Sequence, residues 1–276
     1  MSSEASKTTN GPVLVVPDAR SSSTRLPYSP SSSPNPNRKP AFIVGIAGAS
    51  ASGKTTLCEE IHKKLPHHRV GIVSQDSFYR CLTPEEIANA ANHNFDEPGA
   101  FDWPCMRDVL SRLKNRDLAA IPTYDYTTHS RAKESTALWN LDVVLFEGIF
   151  AFMADPAYPS GRDLMDLRIF VETDSDTRLA RRVFRDTMYR GRTVDSVLQQ
   201  YERFVKPSFE QFILPQRKKA DIIIPWGDYS ENMFNNDGSW EDETYPALNM
   251  IITYIKSIIG ETPVRKPISA TREAPY

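Results

Sequence analysis

Residues 48–55 read Gly-Ala-Ser-Ala-Ser-Gly-Lys-Thr, which satisfies GxxxxGK[ST]. The pattern suits a polyphosphate. Small side chains at Gly48, Ala49, Ser50, Ala51, Ser52 and Gly53 let successive backbone N–H groups curl around phosphate oxygens. The residues from Lys54 through Thr55 and Thr56 open a helix, whose N-terminus adds unpaired N–H groups and a positive dipole end. In this pattern the lysine, Lys54, reaches the β- and γ-phosphates and the hydroxyl of Thr55 ligates Mg²⁺.

The loop says that a phosphate is gripped, not what becomes of it. Three further sets of residues bear on that. Glu147 ends the apolar run Val143-Val144-Leu145-Phe146, where a carboxylate completes a Mg²⁺ shell or caps the next turn. Asp76 follows Arg69–Ser74 (RVGIVS) and is placed to orient an acceptor hydroxyl, the main service a carboxylate renders in phosphoryl transfer; the competing reading is a helix N-cap. Arg178, Arg181, Arg182, Arg185, Arg190 and Arg192 put six guanidinium groups into 15 residues. Arg178, Arg182 and Arg185 share one helix face, suited to phosphate oxygens and to a lid that excludes water. The alternative is a solvated helix paired with Glu172, Asp174, Asp176 and Asp186.

The elements that must position these groups are legible as an alternation. Phe42–Ala47, Arg69–Ser74, Leu141–Phe146, Leu167–Val171 and Asp221–Ile224 are short apolar runs. Between and after them come helical patterns at Leu57–Leu65, Asp176–Tyr189 and Leu248–Ile259. Strands that are apolar on both faces and separated by helices predict an α/β fold with a five-stranded parallel sheet covered on both sides. Ligands of such sheets gather at the carboxyl ends of the strands, where Gly48, Asp76, Glu147 and Glu172 fall. The long segment 77–140 interrupts the alternation. Within it, Ile121–Tyr126, a Thr/His/Ser turn and Arg131–Trp139 predict a β-hairpin arm. Tyr124, Tyr126 and His129 on that arm suit a planar base, although aromatic packing with a surface histidine satisfies the same residues.

Composition sets outer limits. The 276 residues are 40% hydrophobic and 25% charged, ordinary for a chain with a sizeable core. A formal net charge of −2 gives no overall pull toward nucleic acid or acidic membranes. Cys58, Cys81 and Cys105 form no CxxC pair, as expected of free thiols in a reducing, cytoplasmic setting. No apolar run approaches the ~18 residues that span a bilayer. Seventeen of residues 1–40 are Ser or Pro, predicting a disordered tail. A guanine-reading NKxD is absent, which argues against a GTP switch.

The stretches GASASGKTT, SQDSFYR, NFDEPGAFD, YDYTTHSR, VVLFEGIF, DTRLARRVFRD, RGR and QQYERFVKPSFEQFILPQRKKADIIIP together resemble the uridine-cytidine kinase family over residues 41 to 225. The resemblance implies a P-loop NTPase-type fold and phosphorylation of uridine or cytidine at the 5′-hydroxyl, with ATP or GTP as co-substrate and Mg²⁺. It implies that Asp76 is the base and Lys54 its catalytic partner, with Thr55, Asp76 and Glu147 around the metal. Arg182, Arg185 and Arg190 would hold phosphates. Asp96, Arg192, Arg178 and Gln200 would hold sugar or base, with Tyr79, Phe95, Tyr124, Tyr126 and His129 around the pyrimidine. It also implies a homotetramer. A relative with another acceptor, such as nicotinamide riboside or pantothenate, is the alternative.

Two departures from that family stand out. Its usual Pro-Arg-Gly after the last strand is Pro225-Trp226-Gly227 here, which removes the arginine from any nucleotide or subunit contact at that position. About 20 additional residues follow, so 226–246 is expected to be a surface insert and 261–276 a flexible tail around a kinase domain at 41–260.

Overall fold

The computed structural model describes residues 13–17, 39–89, 92–126, 128–153, 164–226 and 246–260. Five strands form one parallel sheet in the order β3 (Val70–Ser74), β6 (Val143–Gly148), β2 (Phe42–Gly48), β7 (Leu167–Glu172), β8 (Ile222–Pro225). Alternate residues of β2 serve opposite cores, so both faces of the strand are apolar. Val44 and Ile46 pack with Leu57, Cys58 and Ile61 of α1 (Lys54–Lys63) and with Leu248, Ile251 and Ile255 of α7 (Pro246–Ile259). Ile43 and Ala47 pack on the other side with Met106, Val109, Leu110 and Leu113 of α3 (Trp103–Lys114). The expected doubly covered parallel sheet is therefore present.

The hairpin arm is β4 (Ala119–Asp125) and β5 (Ser130–Leu138), antiparallel, with an irregularity between Pro122 and Tyr124. Tyr126 falls just past the strand, at the mouth of the turn. The arm is tied to the body where Leu82 N–H donates to the His129 carbonyl (3.1 Å) and Arg131 Nη2 to Asp102 Oδ2 (2.9 Å). Between β3 and the arm, α2 (Pro84–Ala88) is closed by a capping box of Thr83 and Glu86.

One segment corrects the expected tail. β1 (Val13–Pro17) pairs antiparallel with β5 and makes the hairpin a three-stranded sheet. A Val-Leu-Val-Val run has high strand propensity, and the outer edge of β5 offers unpaired backbone groups that such a run can satisfy. The remainder of the tail, the insert apart from Trp226 and Pro246, and residues 261–276 lie outside the described residues.

α4 (Ser175–Arg190) ends at Gly191, whose φ of 64° only glycine takes readily. The reversal brings Arg192 back toward the helix, its N–H donating to the Asp186 carbonyl (3.1 Å). A second helical run follows as α5 (Val194–Gln200), a π-helical turn at Tyr201–Val205, α6 (Lys206–Ser208) and another π turn at Phe209–Ile213. Pro207 supplies no N–H in the middle of this run, and the turns on either side are widened to i→i+5.

Gln75 ties the end of β3 to the residues that follow β6. Wholly buried, its Oε1 accepts from Phe150 N–H (2.8 Å), and its side chain occupies the space beside Gly148 where a Cβ would stand. Gly148→Ala should therefore push Gln75 off Phe150 and lower the unfolding free energy by about 1–3 kcal/mol, measured by urea titration. An unchanged midpoint would show that Gln75 does not depend on this fit.

Candidate active site

β2 delivers the phosphate loop. Gly48, Ala51 and Gly53 have φ of 155°, 62° and 95°, the left-handed geometry that turns consecutive N–H groups inward. Lys54 is buried and its Nζ donates to the Ala49 carbonyl (2.8 Å). Burial pulls its ammonium pKa down, against the pull of Glu147 and Asp76. Glu147, at the end of β6, accepts at Oε1 from Ser74 Oγ (3.0 Å) and Thr55 Oγ1 (3.3 Å). Burial pushes its carboxyl up, against Lys54.

Asp76 stands in the 3₁₀ turn Gln75–Phe78, capped by Ser74, whose Oγ accepts from Asp76 N–H (3.4 Å). The carboxylate is thus inside the first turn and its cap is Ser74, so the N-cap reading of Asp76 does not hold. Its Oδ2 accepts from the Tyr126 hydroxyl (3.2 Å). Burial, then the nearby Asp76 charge, push the Tyr126 phenol well above its ordinary range, so it stays a donor to that carboxylate.

Two cavities meet at Asp76. The larger, about 480 Å³, is lined by Ser50, Ala51, Gly53, Lys54, Thr55 and Thr56 of the phosphate loop, but not by Gly48, Ala49 or Ser52, together with Asp76, Glu147, Arg181, Arg185, Arg190 and Trp226. The smaller, about 150 Å³, is lined by Tyr79, His93, Phe95, Asp96, Tyr126, His129, Arg182, Arg192 and Gln200, among others. Ser50, Asp76, Ile149, Arg185 and Arg190 line both. A group entering the smaller cavity meets the phosphate loop at the Asp76 carboxylate, beneath Arg185 and Arg190.

The smaller cavity is aromatic on one wall and charged on the other. Tyr79 contacts Phe95 edge-on (5.8 Å between centroids), and Phe95 stacks on His129 (5.3 Å, 21°). His129 sits at φ 50° in the hairpin turn. On the charged wall, Arg192 Nη1 donates to Gln200 Oε1 (2.6 Å), and Arg182 Nη1 donates to Ser50 Oγ (3.0 Å), linking this wall to the phosphate loop. Burial pushes the Asp96 carboxyl up, against Arg182.

Not every expected residue reaches a cavity. Arg178 faces inward: its Nε donates to the Thr173 carbonyl (2.9 Å) and its guanidinium lies over Phe209 at 4.0 Å, so it braces two helices. Tyr124 stands behind the wall, 5.3 Å from both Tyr79 and Tyr126, with burial pushing its phenol up to about 12. Glu172 ends β7 but turns to Arg217 (2.7 Å). Conversely, His93, Ile149 and Phe204 line the smaller cavity without a sequence signal beyond their neighbours.

Asp186 was expected only as one of several acidic partners, yet it organises the cations. It is fully buried, and Arg182 (3.9 Å), Arg185 (2.8 Å), Arg190 (3.4 Å) and Arg192 (3.4 Å) converge on its two oxygens. Burial would raise its pKa, but the arginines outweigh that and hold it below the ordinary value. Its one feature legible in sequence is the i,i+4 spacing to Arg182 and Arg190.

Among the described residues no cluster of three or more His, Cys, Asp or Glu is placed to hold a metal. The hydroxyl of Thr55 with the carboxylates of Glu147 and Asp76 is instead the small, hard oxygen set that suits Mg²⁺, which keeps waters and takes remaining ligands from phosphates. No described helix is long and apolar enough to cross a membrane.

The sequence model of the phosphoribulokinase/uridine kinase family matches residues 43–231. Uridine-cytidine kinase B of Dictyostelium discoideum is 46% identical over 223 residues, 81% of this chain and 84% of that protein. A uridine/cytidine kinase of Arabidopsis thaliana, described as chloroplastic, is 43% identical over 221 residues, 80% of this chain and 42% of the longer relative. Among solved structures, phosphoribulokinase from Rhodobacter spheroides shares the fold, with a TM-score of 0.50 at 16% identity over 67% of this chain and 70% of its own.

Asp186→Asn would leave four guanidinium groups around a neutral amide. Unfolding free energy at pH 7 should fall by roughly 3 kcal/mol, the order seen when one partner of a buried ion pair is removed. Because the folded pKa is depressed, the Asp186 contribution is complete above the unfolded value near 4 and fades as pH falls through the folded value. The gap between wild type and variant should therefore narrow below about pH 4; a gap constant with pH would refute the charge-based account.

Proposed function

The chain belongs to the phosphoribulokinase/uridine kinase family, and from that premise we propose that it phosphorylates uridine and cytidine at the ribose 5′-hydroxyl with ATP or GTP as donor, giving UMP and CMP. The observation that carries the reading is the position of Asp76. Its carboxylate lies at the shared edge of a phosphate-loop cavity and an aromatic, hydrogen-bonding cavity of nucleoside character.

In this reading the donor triphosphate lies along residues 48–56, with Lys54, Arg185 and Arg190 against its terminal phosphate. Thr55 and Glu147, with help from Asp76, would hold Mg²⁺, which would supply positive charge to neutralise the triphosphate. Asp76 orients the 5′-hydroxyl and takes up its proton as the bond to the phosphoryl group forms. The Tyr126 hydroxyl, bonded to Oδ2, fixes which carboxylate oxygen is left for that proton. Asp96 and Arg192 would hold the ribose 2′- and 3′-hydroxyls, with Gln200 a further base or sugar contact, and a site built for both hydroxyls would reject a deoxyribose by leaving buried polar groups unpaired. Tyr79, Phe95 and His129 surround the pyrimidine, with Tyr124 behind them as support. We place this activity in pyrimidine salvage in the cytoplasm, carried out by a homotetramer; the oligomeric state rests on family resemblance.

A nucleoside panel with Mg²⁺ and ATP or GTP tests the assignment: uridine and cytidine should be turned over, while deoxyribonucleosides, nicotinamide riboside and pantothenate should be poor acceptors. A protein that turns over neither pyrimidine ribonucleoside would overturn it. Asp76→Asn should lower kcat by about 10²–10⁴ with little change in uridine affinity; a loss under tenfold would remove Asp76 as the base. His129→Ala should raise KM for uridine and cytidine about tenfold and leave KM for ATP within twofold. The reverse pattern would move His129 out of the acceptor site.

A further inference from the structure

Trp226 lines the larger cavity and has no role so far. It follows β8 directly, and although it stands at the edge of the sheet its side chain is only 7% exposed. The indole lies against Gly53, leaving no room for a Cβ there. Its backbone is held as firmly. Trp226 N–H donates to the Glu172 carbonyl (2.6 Å), and its own carbonyl accepts from Thr173 Oγ1, a hydroxyl that also lies 3.0 Å from the Ser52 carbonyl. The ring is thus fixed to the phosphate loop from the β7–β8 side.

The cavity lining is otherwise small, charged or aliphatic, and Trp226 is its one aromatic residue among the described residues. Gly53, Thr56, Arg181 and Trp226 line only this cavity, whereas Asp76, Arg185 and Arg190 at the opposite edge are shared with the acceptor cavity. A triphosphate whose last phosphate lies near Asp76 must therefore extend its nucleoside toward the unshared part, where the flat apolar surface is the indole.

We propose that Trp226 is the donor-base contact: the indole stacks on the base of the nucleoside triphosphate and favours a purine, which offers the larger flat surface, over a pyrimidine. This rests on the kinase reading above for the identity of the donor as a nucleoside triphosphate. It also gives an owner to the position where the sequence departs from the Pro-Arg-Gly pattern.

The test compares two probes that differ in the base. Calorimetric titration of the full chain with Mg-ATP and with Mg-tripolyphosphate separates base contacts from phosphate contacts. Trp226→Leu should weaken ATP about tenfold and leave tripolyphosphate within twofold, while Trp226→Phe keeps both near wild type. Equal weakening of the two probes would make Trp226 a prop for the loop and overturn the proposal, as would an unchanged ratio of affinities. If the leucine variant does not fold, fluorescence decides: the ATP-induced quenching of wild-type tryptophan emission should be lost in Trp226→Phe, and its persistence there overturns the contact. These titrations contain no acceptor, so a failure of the uridine and cytidine assignment would appear in the turnover panel and leave them readable.

Discussion

The site depends on the parallel register of three strands. β3, β6 and β2 are paired so that Ser74 lies beside Glu147 on one side and Ile46 beside Glu147 on the other. That register brings the Ser74 hydroxyl to Glu147 and sends β2 two residues further, into the phosphate loop and Thr55. A slip of one residue would turn Glu147 to the opposite face of the sheet and leave Thr55 without its carboxylate. Because both faces of β2 are packed, at Val44 and Ile46 on one side and Ile43 and Ala47 on the other, the register is enforced by core packing remote from the chemistry.

A second constraint is electrostatic. Four arginines gathered where the two cavities meet repel one another, and burying Arg182 makes this worse, since desolvation pulls its pKa down. Asp186 answers both costs by collecting Arg182, Arg185, Arg190 and Arg192 on one carboxylate. The cations are thereby held in place before any anion arrives, which is the preorganisation that electrostatic stabilisation of phosphoryl transfer requires. Gly191 serves the same end, since the reversal it permits is what returns Arg192 to Asp186 after α4 has ended.

The sequence was most legible where chemistry is local in the chain. The phosphate loop, the five apolar strands and the hairpin arm each announce themselves within about ten residues, through glycine spacing, apolar runs and turn composition. Glu147 and Asp76 could be placed because strand ends are where a parallel sheet presents ligands. Roles set by side-chain direction were less legible. Arg178 shares its helix face with Arg182 in sequence, but the arrival of Phe209 from the widened helix turns it into a packing residue. Tyr124 and Tyr126 are two apart in sequence, but Tyr124 lies within β4 and packs behind the wall, whereas Tyr126 falls past the strand end and meets Asp76. The apolar run Val13-Leu14-Val15-Val16 does not by itself announce a strand in a Ser/Pro-rich background, because the β5 edge it pairs with lies more than a hundred residues away.

Donor and acceptor specificity are consequently set from different parts of the chain. In the proposed reading the aromatic wall of the acceptor cavity comes from the segment between β3 and β6, where Tyr79 and Tyr124 join the main core, and its charged wall from α4 and the helices that follow. The donor wall comes from the residue after β8, clamped by Thr173 to the loop that holds the phosphates. Among the described residues the two cavities share Ser50, Asp76, Ile149, Arg185 and Arg190. Substitution in the arm can then alter which hydroxyl is presented without disturbing the grip on the triphosphate. At Trp226 the limit is steric in one direction only: the indole lies against Gly53, so a ring displaced toward the loop would press on it, whereas a smaller side chain would give up base contact and leave the loop in place.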